Sequence, residues 1–365
     1  MDISFSTDYK SILEKINQIE PLRYGKTRNF IDGAVTKLSP YISRGVISTK
    51  QVLETVLAKG YTLSQIESFA KELCWRDYFQ RVAQEKNIDQ EIKHTQHSVL
   101  NQEIPTQIID ANTGISGVDT AVRQLYKTGY MHNHCRMYTA SIVCNVAKSH
   151  WLHPAQWMYY HLLDGDWPSN ACSWQWVAGT NSSKKYYANQ ENINKYTYTN
   201  QTDTFLDTSY DAIINIDVPL SLCATQKLVL NTLLPKCSPI DLDTAVPTFI
   251  YNYYNLDPLW HQQDRGNRIL LLEPDFFAAY PISEKCMDFM LTLGENILNL
   301  QIYVGSFDLF YKHYSCKEIY YKEHPLNVGY VGIEEPREWI SDRVTGYYAS
   351  FFSYWKNVEA QLALK

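Results

Sequence analysis

The sequence has no uninterrupted apolar run of the roughly 18 to 20 residues that a membrane helix requires, so no span is expected. Its start, Met1 to Lys10, carries Asp2 and Asp8 and lacks both a basic region and an apolar stretch behind it, so no secretory leader is visible and the cytoplasm is the expected compartment. Eight cysteines (74, 135, 144, 172, 223, 237, 286 and 316) are scattered without one C-x-x-C pair, which spells neither a zinc ribbon nor a redox motif; reduced, mostly buried thiols and no metal are expected. Basic charge is also short: 33 Lys and Arg against 39 Asp and Glu leave a net charge of -6, which disfavours a protein that coats DNA by charge alone. No G-x-G-x-x-G follows a strand, and no internal repeat or low-complexity tract appears.

What is present in excess is rings. The 28 Tyr, 13 Phe and 9 Trp exceed the needs of a core this size and suggest surfaces that stack on a flat ligand or on bases. With 45% apolar residues over 365 positions, the chain has the material for two domains. From residue 10 to about 180, apolar side chains recur at three and four, as in Ile47, Val52 and Val56 or Val118, Ala121, Val122 and Leu125, which predicts helices. A polar stretch rich in Asn, Ser, Lys, Thr and Tyr follows from 181 to 205. Beyond it lie a strand at Arg268 to Glu273, an amphipathic helix from Ser283 to Leu298, strands at Leu300 to Val304 and Glu318 to Lys322, and a closing helix from Ser350 to Ala363. The expected fold is an all-helical domain at 1–205, a connection at 206–265, and a smaller α/β, Rossmann-like domain at 266–365.

Two places carry chemistry. Thr36 to Ile42 reads as a helix start, with Ser39 as N-cap and Pro40 at N1; its free N–H groups, with the hydroxyls of Thr36 and Ser39, suit a diphosphate or simply an ordinary capped helix. Farther on, Asn133, Arg136 and Met137 share a helical face at i, i+3 and i+4, and Asp164 and Asp166 offer a partner for Arg136 together with a spare carboxylate that could hold the pyrimidine edge of a flavin ring. Asn170 and Trp174 continue at four-residue steps from Asp166.

These segments, with Leu38-Ser-Pro-Tyr-Ile-Ser-Arg-Gly-Val-Ile-Ser48, Glu72-Leu-Cys-Trp-Arg-Asp-Tyr-Phe79, Thr113 to Met137, Leu163-Asp-Gly-Asp166 and Trp174-Gln-Trp176, closely resemble the flavin domain of DNA photolyases and cryptochromes over residues 20 to 180. The resemblance implies an FAD cofactor. It places Tyr24, Arg28, Thr36, Leu38 and Ser39 around the adenine dinucleotide and its phosphates, and Asn133, Arg136, Asp164, Asp166 and Asn170 along the flavin ring, with Asn170 facing N5. It further implies that Trp75 and Trp176 sandwich a flipped cyclobutane pyrimidine dimer, that Glu72 hydrogen-bonds it, that Asn133 and Met137 belong to the same substrate pocket, and that Trp174 and Trp151 form the inner part of an electron path.

The sequence departs from the family in three ways. Relatives place an antenna domain before the flavin domain, whereas here the α/β half follows, so no antenna chromophore is expected at the usual site. Ser98 falls where a third electron-carrying ring is expected. Tyr130 and the pair Cys172-Ser173 replace residues common around the pocket. The expected partner is DNA carrying pyrimidine dimers, held by Arg44, Arg76, Lys184 and Lys185, although Lys184 and Lys185 read equally as a solvated pair; the acidic charge admits weak duplex binding or a single-stranded substrate. The expected activity is light-driven repair by reduced FAD. A blue-light photoreceptor acting through a partner protein and a flavin-binding structural protein are the alternatives.

Overall fold

A computed structural model describes residues 4–236, 239–314 and 316–363; Cys237 lies outside them. In chain order the early helices are α1 (Tyr9–Asn17), α2 (Pro21–Thr27), α3 (Ser39–Ser43), α4 (Thr49–Leu57) and α5 (Glu67–Glu85). Strand β1 (Ile104–Pro105) precedes α6 (Thr106–Ile109), α7 (Ser116–Thr128), α8 (Asn133–Ser141), α9 (Leu152–His161), α10 (Trp167–Ala178), α11 (Gln190–Thr197) and α12 (Tyr210–Ile213). After β2 (Thr225–Gln226) come β3 (Thr248–Tyr251), β4 (Asn267–Leu272), α13 (Pro274–Ala279), α14 (Glu284–Gly294), β5 (Leu300–Val304), α15 (Phe307–His313), β6 (Ile319–Lys322), β7 (Ile333–Glu335) and α16 (Phe351–Leu362). No helix among the described residues is long and apolar enough to cross a membrane.

The chain divides into two compact units, but not at the linear boundaries expected from composition. One unit comprises residues 1–4, 22–35 and 86–230; the other comprises 5–21, 36–85 and 231–365. The division at 205 and 265 is therefore corrected: packing assigns α1 and α3 to α5 to the same unit as the parallel sheet. The cause is that an amphipathic helix carries its apolar stripe but no address, so composition along the chain cannot say which unit buries that stripe.

The first unit is helical, apart from the two-residue antiparallel pair β1 and β2. The apolar spacing on α7 does what it predicts: Val118, Ala121, Val122 and Leu125 are all buried. The Asp119 carboxylate gathers the preceding turn, accepting from Thr113 N at 2.9 Å, Thr113 Oγ1 at 2.6 Å and Gly114 N at 3.2 Å. Helix α8 widens into a π turn at Ile142–Val146, where the buried Asn145 amide donates to the carbonyls of Val177 at 3.0 Å and Tyr186 at 2.8 Å. Gln175 of α10 donates to Ile88 O and Gln90 O, both at 3.0 Å, and accepts from Ile92 N at 2.9 Å, pinning the segment that leads into this unit.

In the second unit five parallel strands form a sheet of order β5-β4-β3-β6-β7. Strands β3 and β4 are buried and read as continuous apolar runs, as the centre of a parallel sheet covered on both faces requires. The expected strands at 268–273, 300–304 and 318–322 are present as β4, β5 and β6, but the sheet has two more. Strand β3 lies inside the stretch expected to be a connection, and β7 is a short polar edge strand whose Ile-Glu-Glu carries no apolar signal. The helix expected over 283–298 stops earlier: Ser283 caps it by accepting from Cys286 N, and α14 ends at Gly294.

Gly45 holds this unit's loop after β3. It sits at a φ of +65°, and a Cβ there would come within 2.4 Å of Tyr254 O. Beside it, Arg44 O accepts from Leu256 N at 2.9 Å, and the fully buried Arg44 guanidinium lies 3.3 Å from the centre of the Tyr253 ring. Gly45→Ala therefore combines left-handed strain with a backbone collision. We expect it to lower unfolding stability by about 2 kcal/mol or more, read by urea denaturation.

Candidate flavin site

Helix α8 starts at Asn133 because His132 ends the preceding extended stretch and its Nδ1 accepts from His134 N at 3.3 Å. Its buried face is Cys135, Tyr138, Thr139 and Ala140, which leaves Asn133 exposed and Arg136 and Met137 half-buried on the opposite side. The spacing read from the sequence thus corresponds to a face that packing does not consume. Arg136 donates through Nη2 to both carboxylate oxygens of Asp164, at 3.0 and 2.9 Å, and through Nε to Met131 O at 2.8 Å. The Asp164 side chain is only 3% exposed and the Arg136 side chain 21%, so the pair projects a guanidinium edge from a buried anchor.

Asp166 is buried and caps α10, accepting from the backbone N–H of Ser169 at 3.2 Å and from its hydroxyl. A structural duty is therefore added to the role as a spare carboxylate. Asn170 donates its amide to Ala155 O at 2.8 Å, which turns the head of this half-buried side chain and leaves its carbonyl oxygen as the group to offer. Ser169, Asn170, Ser173 and Trp176 are the side chains on α10 that are not fully buried, at the spacing of one helical face. Trp176 is 37% exposed and lies tilted against Tyr186, with ring centres 5.7 Å apart.

These residues fit a flavin. An ion pair anchored by a buried carboxylate supplies a fixed cation, Asn133 stands exposed one turn away, and Asn170 offers an acceptor of the kind that a reduced flavin N5–H needs. Tyr24 lies on α2 and Arg28 immediately after it, bonded through Arg28 N to Tyr24 O at 2.9 Å. His134 rests against Tyr138 and Tyr196, and burial, followed by the nearby Arg28 charge, lowers its pKa to about 4.

Other expectations change. Ser39 is the first residue of α3 and not its cap; Leu38 occupies the cap position, where its apolar side chain can make no bond, and its N–H donates to Thr36 Oγ1 at 3.3 Å in a local turn. In the second unit Glu72 and Trp75 are half-buried one turn apart on α5, as their spacing implies, but Trp75 is stacked on Phe351 of α16 with ring centres 3.8 Å apart and planes within 11°. One ring face expected to take a substrate base is therefore covered by the protein's own ring. Arg44 is fully buried and Arg76 donates to Ser43 Oγ, so neither serves as an open phosphate contact. Lys185 is half-buried and donates to His97 O at 3.1 Å, which leaves Lys184 exposed on that loop. Trp151 and Trp174 are buried, and the Trp151 indole N–H has no hydrogen-bond partner among the described residues. Ser98, at the place of the third, outer ring, is exposed in a turn at a φ of +64°. Of the cysteines, 74, 135, 144, 172 and 286 are buried, Cys316 is intermediate and Cys223 exposed, all as free thiols; burial raises the Cys135 pKa to about 12.

Fold and site together define a helical flavin-binding module, and comparison with known proteins agrees. Residues 69–207 match the family model of the FAD binding domain of DNA photolyase. Through that stretch the chain is similar to proteins of the photolyase/cryptochrome family, and FAD is the cofactor that the matched domain binds. The chain is 30% identical over 174 residues to a deoxyribodipyrimidine photo-lyase of Vibrio cholerae, covering 45% of this chain and 37% of that protein. It is 30% identical over 178 residues to the Synechococcus enzyme of the same name, covering 44% and 36%. The chain thus spans little more than a third of the curated relatives it matches. Among solved structures, a Synechocystis cryptochrome matches with a TM-score of 0.45 at 24% identity, over 53% of this chain and 44% of that one. A class III photolyase from Agrobacterium tumefaciens matches with a TM-score of 0.41 at 25% identity, over 52% and 44%.

Two outcomes follow from this geometry. Asp164→Asn should leave Arg136 without its counter-charge and weaken FAD binding by about tenfold or more, measured by flavin fluorescence on titration. Because His134 has a folded-state pKa below its ordinary value of 6.5, the fold favours the neutral ring. The stability it contributes is fully present above about pH 6.5 and is lost as pH falls toward 4. Denaturation midpoints should decline over that window, and His134→Gln should flatten that part of the profile.

Proposed function

We propose that the protein is a light-driven DNA repair flavoprotein acting on cyclobutane pyrimidine dimers. The observation that carries this reading is the photolyase-type FAD-binding segment, 69–207, in which Asp164 fixes Arg136 while Asn133 and Met137 remain uncovered on the same helix face. Bound and reduced, FAD supplies the photoexcited electron that opens the cyclobutane ring and recovers it afterwards. The chain's own task is to hold and orient. In this reading Arg136, Asp164, Asp166 and Asn133 fix the flavin ring and Asn170 presents its carbonyl at N5. Tyr24, Arg28, Thr36, Leu38 and Ser39 bind the remainder of the dinucleotide.

Glu72 is assigned to hydrogen-bond the dimer, Trp176 to stack on it, and Met137 to fill the space beside it. For Trp75 to serve as the second stacking ring, its face on Phe351 must be released or its other face used. Trp151 and Trp174 are assigned to carrying electrons inward during photoreduction; both are buried, as a relay shielded from water requires. Exposed Lys184 is the remaining lysine candidate for a phosphate flanking the lesion. With so few open cations, single-stranded DNA carrying a dimer is the substrate of choice for testing.

Anaerobic illumination of the reduced protein with such an oligonucleotide should restore the ultraviolet absorbance of the separated bases; no recovery would sink the repair reading. Glu72→Ala should lower the repair quantum yield by about tenfold, the equivalent of one lost hydrogen bond to a charged group, while leaving FAD content unchanged.

A further inference from the structure

The second unit contains a cavity of about 390 Å³ that none of the residues assigned above to flavin or DNA lines. Tyr254 and Asn255, just after β3, and Lys322 to His324, at the end of β6, form one side of it. Strands β3 and β6 are neighbours, yet the chain leaves β3 toward β4 and β5 on one side before returning to β6 on the other. That reversal is where connections diverge and an open parallel sheet leaves a crevice outside the carboxyl ends of its strands.

Asn255 lines this crevice and is 5% exposed, and neither its amide nitrogen nor its amide oxygen has a hydrogen-bond partner among the described residues. Other polar groups in the same wall are engaged: Lys322 pairs with Asp257 at 2.9 Å and Ser48 donates to Glu338 at 2.5 Å. A buried carboxamide with both ends idle is costly, and a fold keeps such a group where something else satisfies it. The head offers a donor beside an acceptor, the complement of a heterocycle edge with adjacent acceptor and donor, as in adenine N7 and N6. Tyr254, stacked on His324 at 3.8 Å between ring centres, adds an aromatic platform to the wall. Lys50, Lys322 and Arg337 are outnumbered by Glu54, Asp257, Glu323 and Glu338, so the lining does not select a polyanion.

We propose that this cavity binds an uncharged adenine-type base or nucleoside through the Asn255 carboxamide. The test is calorimetric titration of adenosine into FAD-loaded protein, in which the resident flavin already fills its own adenine site. Saturable one-to-one binding is expected. Asn255→Leu, of nearly equal size, should weaken that binding by about tenfold. The same variant should melt at a higher temperature than the wild type, because it removes an unsatisfied buried amide. Asn255→Asp keeps the shape but removes the donor, and should also lose binding. Absence of binding to the wild type, equal affinity in the Asp variant, or a leucine variant that melts lower would each overturn the assignment.

Discussion

A carboxylate removed from solvent organises the second unit. Asp77, fully buried on α5, accepts from Thr49 Oγ1 at 2.8 Å and from Ile340 N at 2.9 Å, joining three segments far apart in sequence. Burial raises its proton affinity, while Arg337, the Ile340 N–H, Thr49 and Arg81 act against that rise. Arg81, one turn along α5, lies 3.5 Å from the centre of the Trp339 ring, so the segment around 340 is held by charge, hydrogen bond and ring together. The angle of α5, and with it the positions of Glu72 and Trp75, follows from how this one buried charge is satisfied. Polar groups placed this deep narrow the set of acceptable packings more sharply than apolar contacts, which tolerate sliding.

The helical unit uses a different economy. Asp119, Gln175 and Asn145 all spend their side chains on nearby backbone groups, so its loops are fixed without consuming α8's outer face. What is left over on α8 and α10 is polar, aromatic and only partly covered. A scaffold whose loops are pinned by interior side chains can present a binding face at little extra cost in stability, because that face has no packing role to compromise.

The legible parts of the sequence were those written in local spacing. Asn133, Arg136 and Met137 declare a shared face by their separation alone, and the buried stripe of α7 is equally local. The series of five motif segments around them makes the flavin domain readable as well. What stayed hidden depends on distant partners. Nothing near Trp75 announces that Phe351 stacks on it, and nothing in Thr-Phe-Ile-Tyr distinguishes a central parallel strand from a loop carrying apolar residues until β4 and β6 flank it. Ser39 was misplaced by one position because a Thr36 turn competes with the cap that Ser-Pro suggests. Ion pairing is legible for Arg136, whose carboxylate follows in the connection between α9 and α10, but not for Arg44, which finds an aromatic ring more than 200 residues away.

The tie between α1 and α14 has a consequence for how the protein is made. Tyr9 N donates to Asn296 Oδ1 at 3.0 Å, and Asn296 Nδ2 donates to Thr7 O at 2.7 Å, so the ends of a contact 287 residues apart must meet. At roughly 5 to 20 residues per second on the ribosome, α1 waits on the order of 15 to 60 s before its partner is synthesised. Throughout that interval α1 has α4, against which it packs, but not the residues around Asn296. The hydrogen bonds that fix the start of α1 therefore close only after most of the chain has been made.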